Sequence, residues 1–284
     1  MMELGLHPAQ LRRLAEQALM EDRAYEDITT AALIPSDQQG RGVIVAKREG
    51  IIAGLPMAAA VFEAMDPSIR FQTLVQDGAK VVAGQEVAVV EGPLASILAA
   101  ERTALNYLQR LSGIATLTAR FAEELAGTGV VLRDTRKTTP GLRTLEKYAV
   151  RVGGGQNHRL HLADGILVKD NHLAALRARG LGVTEAVHLC RQAYPQMPVQ
   201  VEVTNFKEAQ EALEAGAEAL LLDNMAPAEI AQVVALARGR AALEASGGIT
   251  LENVREVAKA GVQYISVGAI THSAPALDLS LEVA

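Results

Sequence analysis

A rhythm in the C-terminal half of the chain limits the fold more than any other feature. Short apolar runs at residues 199–203, 219–222, 242–245 and 264–267 recur about every twenty residues. Helical stretches at 184–194, 206–215, 227–237 and 251–260 separate or follow them, and two further runs, 130–133 and 166–169, come before. A repeated βα unit builds either an open doubly wound sheet or a closed barrel. No G-x-G-x-x-G follows the first run, which argues against a dinucleotide-binding sheet. The run ends carry polar groups instead: Arg133-Asp134, Lys169-Asp170, Glu202, Asp223-Asn224, Ser246-Gly247-Gly248 and Gly268. Polar residues at the C-terminal ends of several strands are the barrel pattern. The expectation is an α/β barrel with fewer than eight strands.

The N-terminal part follows a different pattern. An amphipathic helix is predicted over 7–22, with Pro8 near its start, and another helix over 56–65. Strands are predicted at 42–47, 51–53 and 69–75, followed by a β-rich run broken by glycines over 77–90. This is the grammar of a small α+β unit. Helical periodicity covers 94–111 and 114–125, and Gly113 either separates two helices or marks a kink in one.

Composition narrows the function class. Of 284 residues, 49% are hydrophobic, yet no apolar run is long enough to cross a bilayer. Residues 1–13 lack a basic segment followed by an apolar one, so no signal peptide is expected. A single cysteine, Cys190, fits a reducing compartment, and the expected location is cytoplasmic. One Cys and six His leave no zinc-type spacing. A net charge of -6, nine aromatics and no Trp argue against nucleic acid as a partner.

The charge is uneven. Between Arg133 and Asp170 lie eight Lys or Arg against four acids, inside an otherwise acidic chain. The stretch is interleaved with Thr-Thr-Pro-Gly and Gly153-Gly154-Gly155, which read as loops, and charged loop residues suggest a site for a small anion rather than a solvated face.

Two glycine turns follow late strands, Ser246-Gly247-Gly248 and Val267-Gly268-Ala269. Glycine lets backbone amides approach an anion, and a following helix N-terminus adds its positive end, so the pair reads as a phosphate cradle rather than two plain tight turns. Arg136, Lys137, Arg159 and Lys169 supply positive charge from separate loops or strand ends, a donor set suited to carboxylates and phosphates. Lys169 ends an apolar strand, where partial desolvation would allow Schiff-base chemistry, with a salt bridge to Asp170 as the plain alternative. Glu202 and Asp223 could bind sugar hydroxyls, hold Mg²⁺ through water or stabilise a cationic sugar, or else serve as an ion pair or helix cap. His158 is either an anion contact or an ordinary loop histidine.

These residues stand in runs that together resemble the quinolinate phosphoribosyltransferase family over nearly the whole chain. The runs are Glu26-Asp27-Ile28-Thr29-Thr30, Glu101-Arg102-Thr103-Ala104-Leu105-Asn106, Asp134-Thr135-Arg136-Lys137-Thr138-Thr139-Pro140-Gly141 and Gly153-Gly154-Gly155-Gln156-Asn157-His158-Arg159. They continue in Leu167-Val168-Lys169-Asp170-Asn171-His172, Val201-Glu202-Val203, Leu222-Asp223-Asn224, Glu244-Ala245-Ser246-Gly247-Gly248-Ile249 and Ile265-Ser266-Val267-Gly268. One departure is Glu26, which stands where the family usually has Gly before Asp-Ile-Thr-Thr and so questions a turn.

The resemblance implies an α/β fold in two parts: a hammerhead-like N-terminal α/β sandwich over 1–112, and an incomplete TIM-like α/β barrel over 113–271. The tail 272–284 returns to the sandwich. It implies transfer of phosphoribosyl from phosphoribosyl pyrophosphate to quinolinate with decarboxylation, giving nicotinate mononucleotide, pyrophosphate and CO2 for NAD biosynthesis. It also implies Mg²⁺ held through water by Glu202 and Asp223, and a homodimer, open to further assembly, in which Arg102 reaches the neighbouring active site. Arg102, Arg136, His158, Arg159 and Lys169 would form a cationic pocket for quinolinate. Lys137 and Thr138 would help hold the donor, Ser246, Gly247, Gly248, Val267, Gly268 and Ala269 would cradle its 5-phosphate, and Glu202 and Asp223 would bind its ribose. Lys137 and Lys169 are both candidates for the final proton donor at C2. Three rivals remain: a Schiff-base aldolase, a phosphoribosyltransferase acting on nicotinate itself, and a non-catalytic anion sensor on the same fold.

Overall fold

The computed structural model describes residues 5–283. Residues 1–4 of the expected sandwich range and Ala284 of the expected tail lie outside the described residues. In chain order the first elements are α1 (Pro8–Glu21), α2 (Ile28–Leu33), β1 (Gln39–Ala46), β2 (Gly50–Ile51), α3 (Leu55–Met65), β3 (Arg70–Thr73), β4 (Lys80–Val81), β5 (Glu86–Pro93) and α4 (Leu94–Glu124). Then come β6 (Val131–Arg133), α5 (Arg143–Val152), β7 (Ile166–Val168), α6 (Asp170–Arg177), α7 (Val183–Ala193), β8 (Val199–Val203) and α8 (Phe206–Glu214). The chain ends with β9 (Ala219–Asp223), α9 (Pro227–Ala237), β10 (Ala242–Ser246), α10 (Val254–Lys259), β11 (Tyr264–Ser266), α11 (Ala269–His272) and β12 (Leu279–Val283). No described helix is long and apolar enough to cross a membrane.

The chain divides into two compact units, one of Met1–Ala119, Thr138–Gly154 and Ile270–Ala284, the other of Arg120–Lys137 and Gly155–Ala269. In the first, four strands form an antiparallel sheet in the order β12-β1-β5-β3. β12 joins it by pairing with β1 from Gly42↔Val283 to Ala46↔Leu279, so the last residues are held by a ladder. The first helix starts as its sequence directs, with Pro8 in its first turn and a capping box between His7 and Gln10. Glu26 strains nothing: it ends a short 3₁₀ turn outside the left-handed region, and Asp27 caps α2 by accepting the N–H groups of Thr29 and Thr30, each at 3.0 Å.

Gly113 neither breaks nor ends a helix, for α4 runs through it without interruption. Its role is packing. A Cβ at this position would lie 2.0 Å from the carbonyl oxygen of Pro275, so the helix backbone and the returning chain touch directly. Ile97, Ala100, Ala104, Leu108, Leu111 and Ala115 are buried along the same helix at three- and four-residue spacing.

Between the two segments read as loops, the basic stretch contains a ten-residue helix, α5, that the sequence reading did not assign. Its residues 145–150 are all buried, including Glu146 and Lys147, and that burial of charge hid the helix from hydropathy reading. Glu146 accepts from the Arg110 guanidinium at 2.9 and 3.2 Å and from the backbone and hydroxyl of Thr139 at 3.0 and 2.7 Å. Arg110 also donates to the carbonyls of Thr271 and Ala274. Three separate stretches of the first unit are thereby tied together by one buried ion pair.

The second unit holds six parallel strands in the order β6-β11-β10-β9-β8-β7. An isolated parallel bridge, Arg133↔Gln156, adds a further segment beside β6. This is the incomplete barrel of repeated βα units that the rhythm predicts. Its strands match the expected runs to within a residue at each end, and α10 alone starts three residues late. α6, immediately after Lys169, is an addition.

Gly113→Ala should destabilise the protein by at least about 2 kcal/mol in urea unfolding, because the overpacked contact outweighs alanine's helix propensity. A gain in stability would show that the approach of residue 275 can relax.

Candidate active site

A parallel strand turns alternate side chains to opposite faces. In the second unit that rule places Arg133, Leu167, Lys169, Glu202, Leu221, Asp223, Glu244, Ser246 and Ser266 on the inner side of the sheet, and all but Arg133 line one cavity of about 410 Å³. Asp134, Thr135, Arg136, Lys137, His158, Arg159 and Asp170 complete its wall from the segments that follow the strands.

Eight of the residues singled out in the sequence therefore meet here: Arg136, Lys137, His158, Arg159, Lys169, Glu202, Asp223 and Ser246. Gly247 and Gly248 follow Ser246 directly, both with positive φ (86° and 62°), and Gly247 has no room for a Cβ, which would lie 2.3 Å from Asn224 Oδ1. Gly268 and Ala269 follow Ser266 and Val267 without lining the cavity. The expected helix N-terminus behind the first turn is absent, since α10 begins only at Val254. The intervening loop is held by Asn253, which donates to Gly248 O and accepts from Thr250 N. Arg102 and Thr138 belong to the first unit and do not line this cavity. Arg102 is exposed on α4 beside Asp22, Arg23, Asp27, Ile28 and Leu98.

Lys169 is not desolvated: its side chain is 46% exposed, and Nζ lies 3.9 Å from Glu202 Oε2 rather than pairing with Asp170. That setting is the reverse of what a Schiff-base lysine needs. Burial pushes the Glu202 carboxyl above its usual range. Lys169 and the Asp170 N–H pull it back, while Asp223 and Asp170 push the same way as burial. Asp223 caps no helix; it accepts from the amide of Asn224 at 2.8 Å. The Arg159 guanidinium is held below its usual range, first by burial and then by the nearby charge of Arg136. It also donates to Gly165 O at 3.0 Å.

Two acids of the cavity wall carry more structure than their sequence positions announce. Asp134, fully buried, accepts from the Asn157 amide at 2.7 Å and the His158 N–H at 2.8 Å, which fixes the loop that presents His158 and Arg159. Glu244, also buried, accepts from Arg133, Gln200, His158 and Ser266. A signal for Glu244 existed, since it stands two residues before Ser246 on one strand and so shares its face. Asp134 gave none. Burial alone pushes Glu244 upward, but the His158 imidazole, the Ser266 hydroxyl and the Gln200 amide outweigh it and hold the carboxyl at about 2. His158 itself accepts the Arg159 N–H at Nδ1 (2.8 Å), which leaves Nε2 to face Glu244.

The cavity thus brings four cationic side chains, Arg136, Lys137, Arg159 and Lys169, together with a pair of carboxylates, Glu202 and Asp223. Among the described residues no group of three or more His, Cys, Asp or Glu is arranged to hold a metal ion. Two carboxylates of this kind fit a hydrated Mg²⁺ that takes most of its ligands from water and phosphate oxygens.

A Glu held at about 2 contributes stability that is complete above its unfolded value near 4.5 and is lost as pH falls toward 2. The stability gap between wild type and Glu244→Gln in urea unfolding should therefore be widest above about pH 4.5 and narrow as the solution is acidified. A gap independent of pH would mean that the charge on Glu244 contributes nothing.

Comparison with known proteins places these residues in context. Residues 27–112 match the family model described as quinolinate phosphoribosyl transferase, N-terminal domain, and residues 114–282 match the C-terminal domain model. A protein of Synechocystis named "Probable nicotinate-nucleotide pyrophosphorylase (carboxylating)" is 44% identical, over 94% of this chain and 90% of the relative. "Quinolinate phosphoribosyltransferase (decarboxylating) 2, mitochondrial" of Nicotiana glauca is 39% identical, over 98% of this chain and 83% of its own. A crystal structure titled NadC, from Streptococcus pyogenes, superposes with a TM-score of 0.92 at 40% identity and covers 98% of both chains.

Proposed function

The chain belongs to the quinolinate phosphoribosyltransferase family, and on that premise we propose that the barrel cavity joins quinolinate to the ribose of phosphoribosyl pyrophosphate and releases CO2. The product is nicotinate mononucleotide, an intermediate of NAD biosynthesis. The observation that carries this reading is the convergence of Arg136, Lys137, Arg159 and Lys169 on a cavity that also presents Glu202 and Asp223. One substrate is a dicarboxylate and the other a pyrophosphate, so both need cations. The carbon that reacts becomes cationic, so it needs acids.

In the transfer, the ring nitrogen of quinolinate forms a bond to C1 of the ribose as the bond from C1 to the pyrophosphate oxygen breaks, its electron pair leaving with pyrophosphate. Glu202 and Asp223 face the oxocarbenium-like carbon and bind the ribose hydroxyls. Lys137 holds the donor, and the backbone at Ser246–Gly248 and Val267–Ala269 cradles its 5-phosphate. Mg²⁺, held through water by Glu202 and Asp223, supplies charge neutralisation on the pyrophosphate when bound. The alkylated nitrogen is then positive and adjacent to the C2 carboxylate. The bond from C2 to that carboxyl breaks, CO2 departs, and the electron pair stays at C2 until a proton replaces it. The ring is its own electron sink, so the protein's task is to orient and desolvate the carboxylate. Arg136, Arg159 and Lys169 do the orienting, and Lys137 or Lys169 supplies the proton.

A homodimer in which Arg102 completes the neighbouring cavity belongs to the same reading. Two features support it. Arg102 is exposed, and Met20, Tyr25, Ile28 and Leu33 of the same unit leave large apolar surface uncovered, with Ile28 84% exposed.

Purified protein with quinolinate, phosphoribosyl pyrophosphate and Mg²⁺ should yield nicotinate mononucleotide and CO2 in equal amounts, and nicotinate should not substitute. Turnover of nicotinate alone would replace the diacid by a monoacid. Lys169→Ala should lower kcat/KM about a hundredfold, through loss of a charge-assisted contact. Wild-type turnover would remove Lys169 from the pocket.

Co-purified Arg102→Ala and Lys169→Ala chains, each nearly inactive alone, should regain about a quarter of wild-type activity, because half the random dimers hold one intact site of two. No recovery would mean that each site is built from one chain.

A further inference from the structure

We propose that Glu244 is a positioning residue for the acid-binding pocket: from beneath the cavity it holds the Nε2–H of His158, so that the imidazole meets the aromatic acid without offering it a ring N–H. This rests on the phosphoribosyltransferase reading given above. Glu244 belongs to the cavity wall yet is only 2% exposed, so its carboxylate faces the protein rather than a ligand. Its four donors come from four separate places. Ser266 on β11 donates to Oε1. Gln200 on β8 (3.1 Å), Arg133 on β6 (3.2 Å) and His158 in the segment between α5 and β7 (3.4 Å) all approach Oε2.

Each neighbour is itself constrained. The Arg133 guanidinium lies 3.4 Å from the centre of the Tyr264 ring, and its Nε has no hydrogen-bond acceptor among the described residues. The charge of Arg133 is therefore answered by Glu244 and an aromatic face. His158 is pinned at three atoms: its backbone N–H by Asp134, its Nδ1 by the Arg159 N–H, and its Nε2 by Glu244. Both ring nitrogens are engaged inside the protein, and the ring carbons are what remains for the cavity. A flat apolar surface at this place suits the pyridine ring of a diacid whose carboxylates are met by Arg136, Arg159 and Lys169.

Removing the charge of Glu244 undoes this in a defined way. In Glu244→Gln the buried Arg133 loses its anionic partner, the new amide competes for donors and acceptors, and His158 Nε2–H is free to turn toward the cavity. The effect should fall on the acid and not on the phosphoribosyl donor.

The test is nitrogen-15 NMR of histidine-labelled full-length protein, with the His158 signals assigned by their loss in His158→Asn, together with steady-state kinetics. Wild-type His158 should show the Nε2–H tautomer. Glu244→Gln should lose that signature and raise the KM for quinolinate about tenfold, while the KM for phosphoribosyl pyrophosphate stays within about twofold. Glu244→Asp should recover part of both readouts. An Nδ1–H tautomer in the wild type would overturn the proposal, even if Glu244→Gln fails to fold. A folded Glu244→Gln with wild-type tautomer and KM would overturn it too. Absence of quinolinate turnover by the wild type would instead strike at the assigned activity and leave the tautomer readout standing.

Discussion

Everything chemical in the second unit depends on the pleat of its parallel strands. Because side chains alternate, each strand sends one set of residues to the helices and the other set to the barrel interior. The outward set is apolar without exception on β8, β9 and β10: Val199, Val201 and Val203, then Leu220 and Leu222, then Leu243 and Ala245. That surface anchors the strands. The inward set is thereby released from packing duty toward the C-terminal ends, where it becomes Glu202, Asp223, Glu244 and Ser246. A slip of one residue in any strand would exchange the two sets, placing carboxylates against the helices.

The first unit solves a different problem, that of gathering three distant stretches of chain. Antiparallel pairing of β12 with β1 holds the C-terminal residues. The Arg110–Glu146 pair, with Thr139 and the carbonyls of Thr271 and Ala274, ties α4 to α5 and to the segment after α11. A buried carboxylate is tolerated here because each of its oxygens is met by donors. Gly113 serves the same gathering by letting a carbonyl approach a helix backbone where any side chain would block it.

Within the cavity, acids and bases are sorted by what surrounds them. Glu244 and Asp134 are buried, saturated with donors and structural. Glu202 is pushed upward by burial and by Asp223 and Asp170, and so stays responsive to an incoming cation or hydroxyl. Arg159 is held down by burial and by the like charge of Arg136.

Much of this was legible in one dimension. Period-two apolar runs about twenty residues apart determine a parallel βα architecture, since only that arrangement buries every run. The residues at the run ends then determine the candidate chemistry, and Lys169, Glu202, Asp223 and Ser246 all line the cavity as their positions suggest. What the order of residues could not decide is which charges are free. α5 lies unassigned between two loop segments of the basic stretch, yet it buries Glu146 and Lys147. His158 reads as either an anion contact or a loop histidine, and in the fold its Nδ1 is engaged by a backbone N–H. Lys169 reads as desolvated but is half exposed. The strand rhythm and the chemical groups at its ends are written in the order of residues, because periodicity and residue type are local. The partners and exposure of those groups come from the fold, because each depends on neighbours that arrive from strands far apart in the chain.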